Sequence, residues 1–479
     1  MSRSTRRRAA LTLGLALVAA ISPLVASTSP ATATTATCPS STERVQVTAS
    51  TTLDPRCTYG GVDVSGSGTT LDCNGAAIVD PRTGDRIGIL VSTPVDTTLA
   101  HVTVRNCRVQ GFLNSMRVTR DGFRGLPPGG EYTHTTSDIV IENSRVGGSR
   151  GVGIYVDGYV SDVTVRNNEI RGAGSSGIYL ETGSRNNTVS NNTIADNGWI
   201  ENGPAGQPVS FGGAKLWFWG VGREGLSVDG SYDNTIVGNR FSGNAAGGVF
   251  LYRNCGEYPN NGAYLERRTS ATRNRIQWNT FTGGRNGVWV GSRMAENTLP
   301  MECASPAYVE QGFVRVVLDH AEHNLVDHNQ FTDVTYGVRV EDDGTTVSNN
   351  SFTARTPDHH AVIIGTPYRT TRLGLPVRGT VLSGNVSTIA RNPNPYRWVV
   401  GEAETTVSAN SAAGQRVGIC EAPDVPRQPF IFVIALAFAN PDGTAPPPPD
   451  LTVPTLGALP ACRTTGLVRP LSPLYPAHR

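Results

Sequence analysis

Three five-residue segments, GIYVD, GIYLE and GLSVD, end in an acid at Asp157, Glu181 and Asp229. Their apolar residues alternate, which is the pattern of a strand. Alternation turns Ile178 and Leu180 to one face and Tyr179 and Glu181 to the other. Stacked strands lie about 4.8 Å apart, so Asp157 and Glu181 would stand roughly 5 Å apart if in register. Two carboxylates that close cannot both ionise freely, and a split pair supplies an acid and a base or nucleophile. Asp229 follows Glu181 by 229 − 181 = 48 residues, which is two turns, or one turn with an insertion. The resulting separations, about 10 Å or about 5 Å, are near those at which carboxylate pairs hydrolyse glycosidic bonds with inversion or retention. On a plain surface stacked like charges are unfavourable, so the column argues for catalysis or for a Ca²⁺ site rather than for solvated decoration.

Reading every such segment in the same way gives two outward columns. One is Tyr155, Tyr179, Ser227, Phe250, Trp289 and Arg339; the other is Asp157, Glu181, Asp229, Tyr252, Gly291 and Glu341. Tyr155, Tyr179, Phe250, Tyr252 and Trp289, with Trp217 and Trp219 from a neighbouring segment, form a candidate strip for stacking sugars. Lys215 is the sole lysine, and it lies among Trp199, Trp217 and Trp219. Desolvation can tune a lysine into a base, which arginine resists. Arg223 and Glu224 follow closely and join Lys215 as candidates. His320, His323 and His328 imitate a metal spacing, but on strands and turns they point different ways, and no zinc site is expected.

The elements that must hold these residues form a repeat. Gly-apolar-x-apolar-x recurs at Gly88, Gly153, Gly177, Gly225, Gly248, Gly287 and Gly337, and apolar-x-x-Asn-x-apolar at Asn168, Asn192, Asn239, Asn279, Asn329 and Asn350. Two to three short strands per turn of about 24 residues predict a solenoid, since each repeat buries its face only by stacking on the next. The asparagines are read as structural, bonded turn to turn at a bend. From Gly153 onward the glycine spacings are 24, 48, 23, 39 and 50, and the excess marks long loops on one face. Long loops in a compact repeat are usually functional.

With GTTLDCNGAAI (Gly68 to Ile78), these repeats resemble the right-handed parallel β-helix superfamily, the pectate-lyase-like fold, over roughly Cys38 to Val400. The resemblance implies an all-β, single-stranded right-handed parallel β-helix with an Asn ladder and long loops on one face. It is less specific for activity, since such proteins include lyases, glycoside hydrolases, epimerases, transferases, depolymerases and noncatalytic members.

A basic start, an apolar run and a small-residue ATA site make residues 1–33 a secretory signal. The Sec route is expected, with the twin-arginine route as the alternative. Removing it takes away four arginines, leaving 41 − 4 = 37 basic against 39 acidic residues, a balance of −2 that gives no footprint for nucleic acid. No later run is long enough to span a membrane. FIFVIALAF (Phe430 to Phe438) reads as buried strand or cap. Eight cysteines in an exported chain imply disulfides, and proximity suggests Cys38–Cys57, Cys73–Cys107, Cys255–Cys303 and Cys420–Cys462. The expected domains are an N-terminal cap at 34–67, the β-helix at 68–400, and a C-terminal cap with a Pro-rich tail at 401–479. The functional expectation is a secreted, monomeric enzyme that cleaves a polysaccharide by hydrolysis or transglycosylation without a cofactor, Asp157, Glu181 and Asp229 dividing the acid and base or nucleophile roles. The alternatives are a lyase, with Ca²⁺ on those three acids and Lys215 or an arginine as base, and a noncatalytic surface-binding solenoid.

Overall fold

The computed structural model describes residues 34–36, 38–39, 43–81, 87–200, 206–211, 214–254, 265–292, 295–298, 309–311, 314–317, 320–366, 369–370, 374–399, 404–422 and 435–447. The expected signal segment, Cys255, Cys303, Cys462 and most of the Pro-rich tail lie outside these residues.

One coil illustrates the architecture. The chain runs through Ile154–Val156, Ser161–Arg166 and Glu169–Arg171, then returns to Ile178–Leu180 directly beside its start. Repetition builds three sheets of 13 strands each, parallel except for one short pair at the C-terminal end. The described residues hold no α-helix, and none of their helices is long and apolar enough to cross a membrane. The coils extend beyond the expected 68–400. Val45–Val47 and Val62–Val64 already pair in the site-bearing sheet, and Cys420–Glu421 still does. Gly61 of GVDVS and Asn410 of VSANSA carry the repeat's marks into these terminal coils.

Inward residues form one continuous core. Ile154, Val156, Val165 and Ile170 are buried and stack on Ile178, Leu180, Val189 and Ile194 of the next coil. Phe241, Phe281, Phe331 and Phe352 stack nearly parallel, with ring centroids 4.8 to 4.9 Å apart. Their bulk explains the repeat's glycine: a Cβ at Gly287 would lie 2.4 Å from the Phe331 ring and 2.5 Å from the Gly337 carbonyl oxygen.

The bend before the third sheet carries the asparagine ladder. Asn168, Asn192, Asn239, Asn279, Asn329, Asn350, Asn385 and Asn410 each donate from Nδ2 to Oδ1 of the next. The residue ahead of each ladder position takes the left-handed backbone, as at Asn167 (φ 57°) and Asn191 (φ 55°). Towards the N-terminus Ser144 and Cys107 continue the column, and the Cys73–Cys107 disulfide cross-links it there. Cys38–Cys57 is also formed, and Cys420 is disulfide-bonded.

Asn239 Oδ1 accepts from the backbone N–H and Nδ2 of Asn192, while its Nδ2 reaches Asn279 and the Val189 carbonyl. Asn239→Ala strands these buried groups and is expected to lower stability by about 3 kcal/mol. Exposed, left-handed Asn191→Gly should stay within about 0.5 kcal/mol of the parent. Chemical denaturation compares the two.

Candidate functional site

The site lies on the outward face of the sheet that contains the Gly-apolar repeats. Its central column is Arg117, Tyr155, Tyr179, Ser227, Phe250, Trp289 and Arg339, each paired with the next. Leu180 pairs with Val228, so Glu181 and Asp229 belong to adjacent coils and the residues between them are an insertion. The closer of the two separations is the one present.

The three acids are buried, not displayed in an open groove: Asp157 and Asp229 are 0% exposed and Glu181 3%. Loops from both edges of the sheet fold over them. Leu265 packs with Phe123 and Tyr159. Gly183 N–H donates to Thr269 Oγ1 (2.8 Å), and Arg268 pairs with Glu131 (3.0 Å). Between these anchors Arg267 turns its guanidinium onto the acids. One nitrogen, Nη1, contacts Glu181 Oε1 and lies 3.2 Å from Asp229 Oδ2.

Tyrosines complete the shell in a diagonal pattern. Tyr155 donates to Glu181 Oε2 and Tyr179 to Asp229 Oδ2, each at 2.6 Å, and their rings stack at 5.0 Å. Burial, reinforced by the Asp157 charge at Tyr155 and the Asp229 charge at Tyr179, pushes both phenols up and keeps them protonated as donors. Backbone N–H groups of Thr182 and Asn254 occupy the remaining oxygens of Glu181 and Asp229. Asp157 is held separately by Arg117, at 2.6 and 3.1 Å. Burial opposes the Arg117 charge and the Asp157 carboxylate more than offsets it, so the guanidinium is held the more firmly protonated.

Glu224 forms a second centre at the opposite end of the Asp229 strand. It accepts from Tyr252 (2.9 Å) and Ser227, with Arg223 Nη2 3.4 Å away. Lys215 is not brought to either centre. It is exposed on an antiparallel hairpin, Gln207–Phe211 with Ala214–Trp219, to which Ala435–Phe438 adds a third strand. Its Nζ donates to the Gly443 carbonyl. Trp217 is half-buried and Trp219 buried on that hairpin, and Phe438, expected inside, is 73% exposed at its edge.

The aromatic strip is also covered. Phe250, Tyr252 and Trp289 pack with Ala246 and Val221 into a small second core, leaving Tyr155 half-buried and Tyr179 8% exposed. The covering loops bury surface that alternation alone turns outward. A Ca²⁺ ion takes six to eight oxygens, whereas Arg267 and Arg117 fill the space around the three acids, so this donor set does not fit Ca²⁺. Among the described residues, three possible metal ligands converge at Cys38, Asp54 and Cys57 alone, where both cysteines are in a disulfide. Arg267 and Arg117 were missed by the sequence reading. Arg267 stands in a loop that the coil spacing does flag, and Arg117 sits in NSMRV, a coil without the marker glycine.

Residues 41–220 match the family model described as the right-handed beta helix region. The chain is a right-handed parallel β-helix. The comparison with curated proteins finds no match. Among solved structures the β-helix is similar to the Dettilon tailspike protein gp208, with 14% identity and a TM-score of 0.41 over 78% of this chain and 62% of that one. It is also similar to the A-module of the Azotobacter vinelandii mannuronan C-5 epimerase AlgE6, with 15% identity and a TM-score of 0.44 over 81% and 88%. A third likeness is to the catalytic domain of a GH87 alpha-1,3-glucanase, with 12% identity and a TM-score of 0.36 over 76% and 58%. The chain thus spans less than two thirds of the tailspike and of the glucanase domain. These are likenesses of fold.

Asp157→Asn leaves Arg117 largely buried without its counter-charge. It should lower stability by about 3 kcal/mol, the scale for breaking a buried pair, as read from denaturation midpoints. An unchanged midpoint would mean that Asp157 does not hold Arg117.

Proposed function

We propose that this β-helix is a secreted, carbohydrate-active protein that cleaves a polysaccharide by glycoside hydrolysis or transglycosylation, with Glu181 and Asp229 as its carboxylate pair. The observation that carries this reading is the single Arg267 nitrogen shared by carboxylates of two successive coils. Neither disulfide bonding nor coil packing requires two acids there, and stacking them is costly unless a cation intervenes. The Cys38–Cys57 and Cys73–Cys107 disulfides fit an oxidising compartment.

In this reading Arg267 holds both acids charged while no substrate is bound. Entry of a sugar displaces it from Glu181, and the adjacent carboxylates then take up one proton from water and share it. One carboxyl gives that proton to the glycosidic oxygen as the bond to the leaving sugar breaks. The other attacks the anomeric carbon, and water or an acceptor hydroxyl later releases the glycosyl group, giving up its proton to the first. Carboxylates about 5 Å apart favour this retaining course. Tyr155 and Tyr179 hold the two side chains in place throughout.

One observation favours the noncatalytic reading: all four oxygens of Glu181 and Asp229 already have protein donors. Elimination is less well supported, because Lys215 stands apart and the acids do not fit Ca²⁺.

Glu181→Gln and Asp229→Asn should each cut turnover at least ~100-fold, the scale of lost acid–base catalysis. The assay is release of reducing ends from a polysaccharide panel, with unsaturated ends followed in parallel by ultraviolet absorbance. Normal turnover in both variants, or unsaturated products from the parent, would overturn the proposal. No cleavage of a broad panel by the parent would leave the binding reading.

A further inference from the structure

The residue ahead of each ladder asparagine takes the left-handed backbone, and at Asn167, Asn191, Gly238, Asn349 and Gly384 it is of a type that tolerates this. Small Ala409 and the rings of Trp278 and His328 depart from that pattern. A tryptophan at φ 57° is a strained choice, and burial does not repay it, because Trp278 is 60% exposed. Its ring is nonetheless held in place. It stacks on His328, with centroids 4.2 Å and planes 24° apart. His328 Nδ1 lies 2.7 Å from Asp327 Oδ2, and Asp327 accepts in turn from Ser348 (2.7 Å) and Asn349 (3.0 Å). Trp278 is thus braced from the following coil.

The preceding coil leaves the other side of the ring open. The register sets Gly238 beside Trp278 and Asn191 one coil further back. Gly238 has no side chain, so the column has an empty step there. A Cβ at Gly238 would lie 2.6 Å from Asn191 Oδ1, so that amide borders the step. The other exposed large apolar residues, Trp199, Ile200, Val386 and Phe438, are not neighbours of Trp278 in this column. A lone ring is not the broad apolar patch that marks a protein interface.

A pyranose ring offers a face of C–H groups and a rim of hydroxyls. The negative face of an indole attracts the C–H groups, and an amide oxygen accepts from a hydroxyl. We propose that the step between Asn191 and Trp278 is a glycan-binding site in which one pyranose ring of a polysaccharide stacks on Trp278. It lies on the bend between the second and third sheets, outside the sheet that bears the acids. It requires no charge on the sugar and no movement of Arg267.

The test is calorimetric titration of the full chain with laminarin, xylan, dextran and soluble starch. The parent should bind at least one of these neutral glycans. Trp278→Gly, which restores a residue type the column uses, should bind that glycan at least ten-fold more weakly while the melting temperature shows the fold kept. Gly238→Asn fills the step with the residue type of Asn191 and leaves Trp278 in place, and it should also lose at least ten-fold. Trp278→Tyr should keep part of the affinity and serves if the glycine variant fails to fold. Loss in both variants, with binding retained in Glu181→Gln, separates this site from the proposed cleavage site. No glycan binding by the parent, or an affinity unchanged in either variant, would overturn the proposal. Binding that depends on Glu181 and not on Trp278 would overturn it and keep the hydrolase reading. Self-association of the parent that Trp278→Gly abolishes, without any glycan binding, would also overturn it and make Trp278 a contact between copies of the chain.

Discussion

Stacking in parallel register forces like side chains of successive coils to within about 5 Å of each other. Everything else in this β-helix follows from which residues tolerate that closeness. Asparagine is self-complementary, since its amide donates one way and accepts the other, and eight of them run as one buried ladder from Asn168 to Asn410. Phenylalanine tolerates it by stacking, as from Phe241 to Phe352, at the cost of glycine across the core. Carboxylates do not tolerate it, because like charges repel and burial weakens solvation. A column of acids therefore needs donors of another kind, and Tyr155, Tyr179, Arg117 and Arg267 supply them.

The donors come from two sources with different physical character. The tyrosines and Arg117 are strand residues, fixed by the same register that creates the problem. Arg267 comes from a loop, and its position depends on Leu265 packing against Phe123 and Tyr159 and on Thr269 meeting Gly183. The acids of the site are thus rigid while their shared cation is held by long-range contacts.

The repeat itself was readable in the sequence because its marks recur within each coil although insertions vary the spacing: the glycine and asparagine marks located the sheets, the bend and the outward columns. The Cys38–Cys57 and Cys73–Cys107 pairs followed from proximity and an exported context. The coil of Asp229 was not decidable, because an insertion and an extra turn have the same length; pairing of Leu180 with Val228 decides it. Burial of Phe250, Tyr252 and Trp289 was invisible for a related reason, since alternation gives the face of a residue but not what a loop lays over it. Arg267 meets Glu181 across 86 residues, and no local pattern encodes that meeting. Lys215 drew attention by rarity, which reflects composition rather than position, and its hairpin carries it away from the acids.

In the proposed function Glu181, Arg267 and Asp229 stand together because they act, and not because the fold needs their attraction. Replacing a buried ion cluster by neutral groups of similar shape is commonly neutral or stabilising, by about 1–4 kcal/mol. The direct measurement is melting temperature together with turnover in the triple variant Glu181→Gln, Asp229→Asn and Arg267→Met. The expected result is an unchanged or raised melting temperature with cleavage abolished. A marked fall in melting temperature with cleavage retained would contradict it, and would make the cluster a structural clamp.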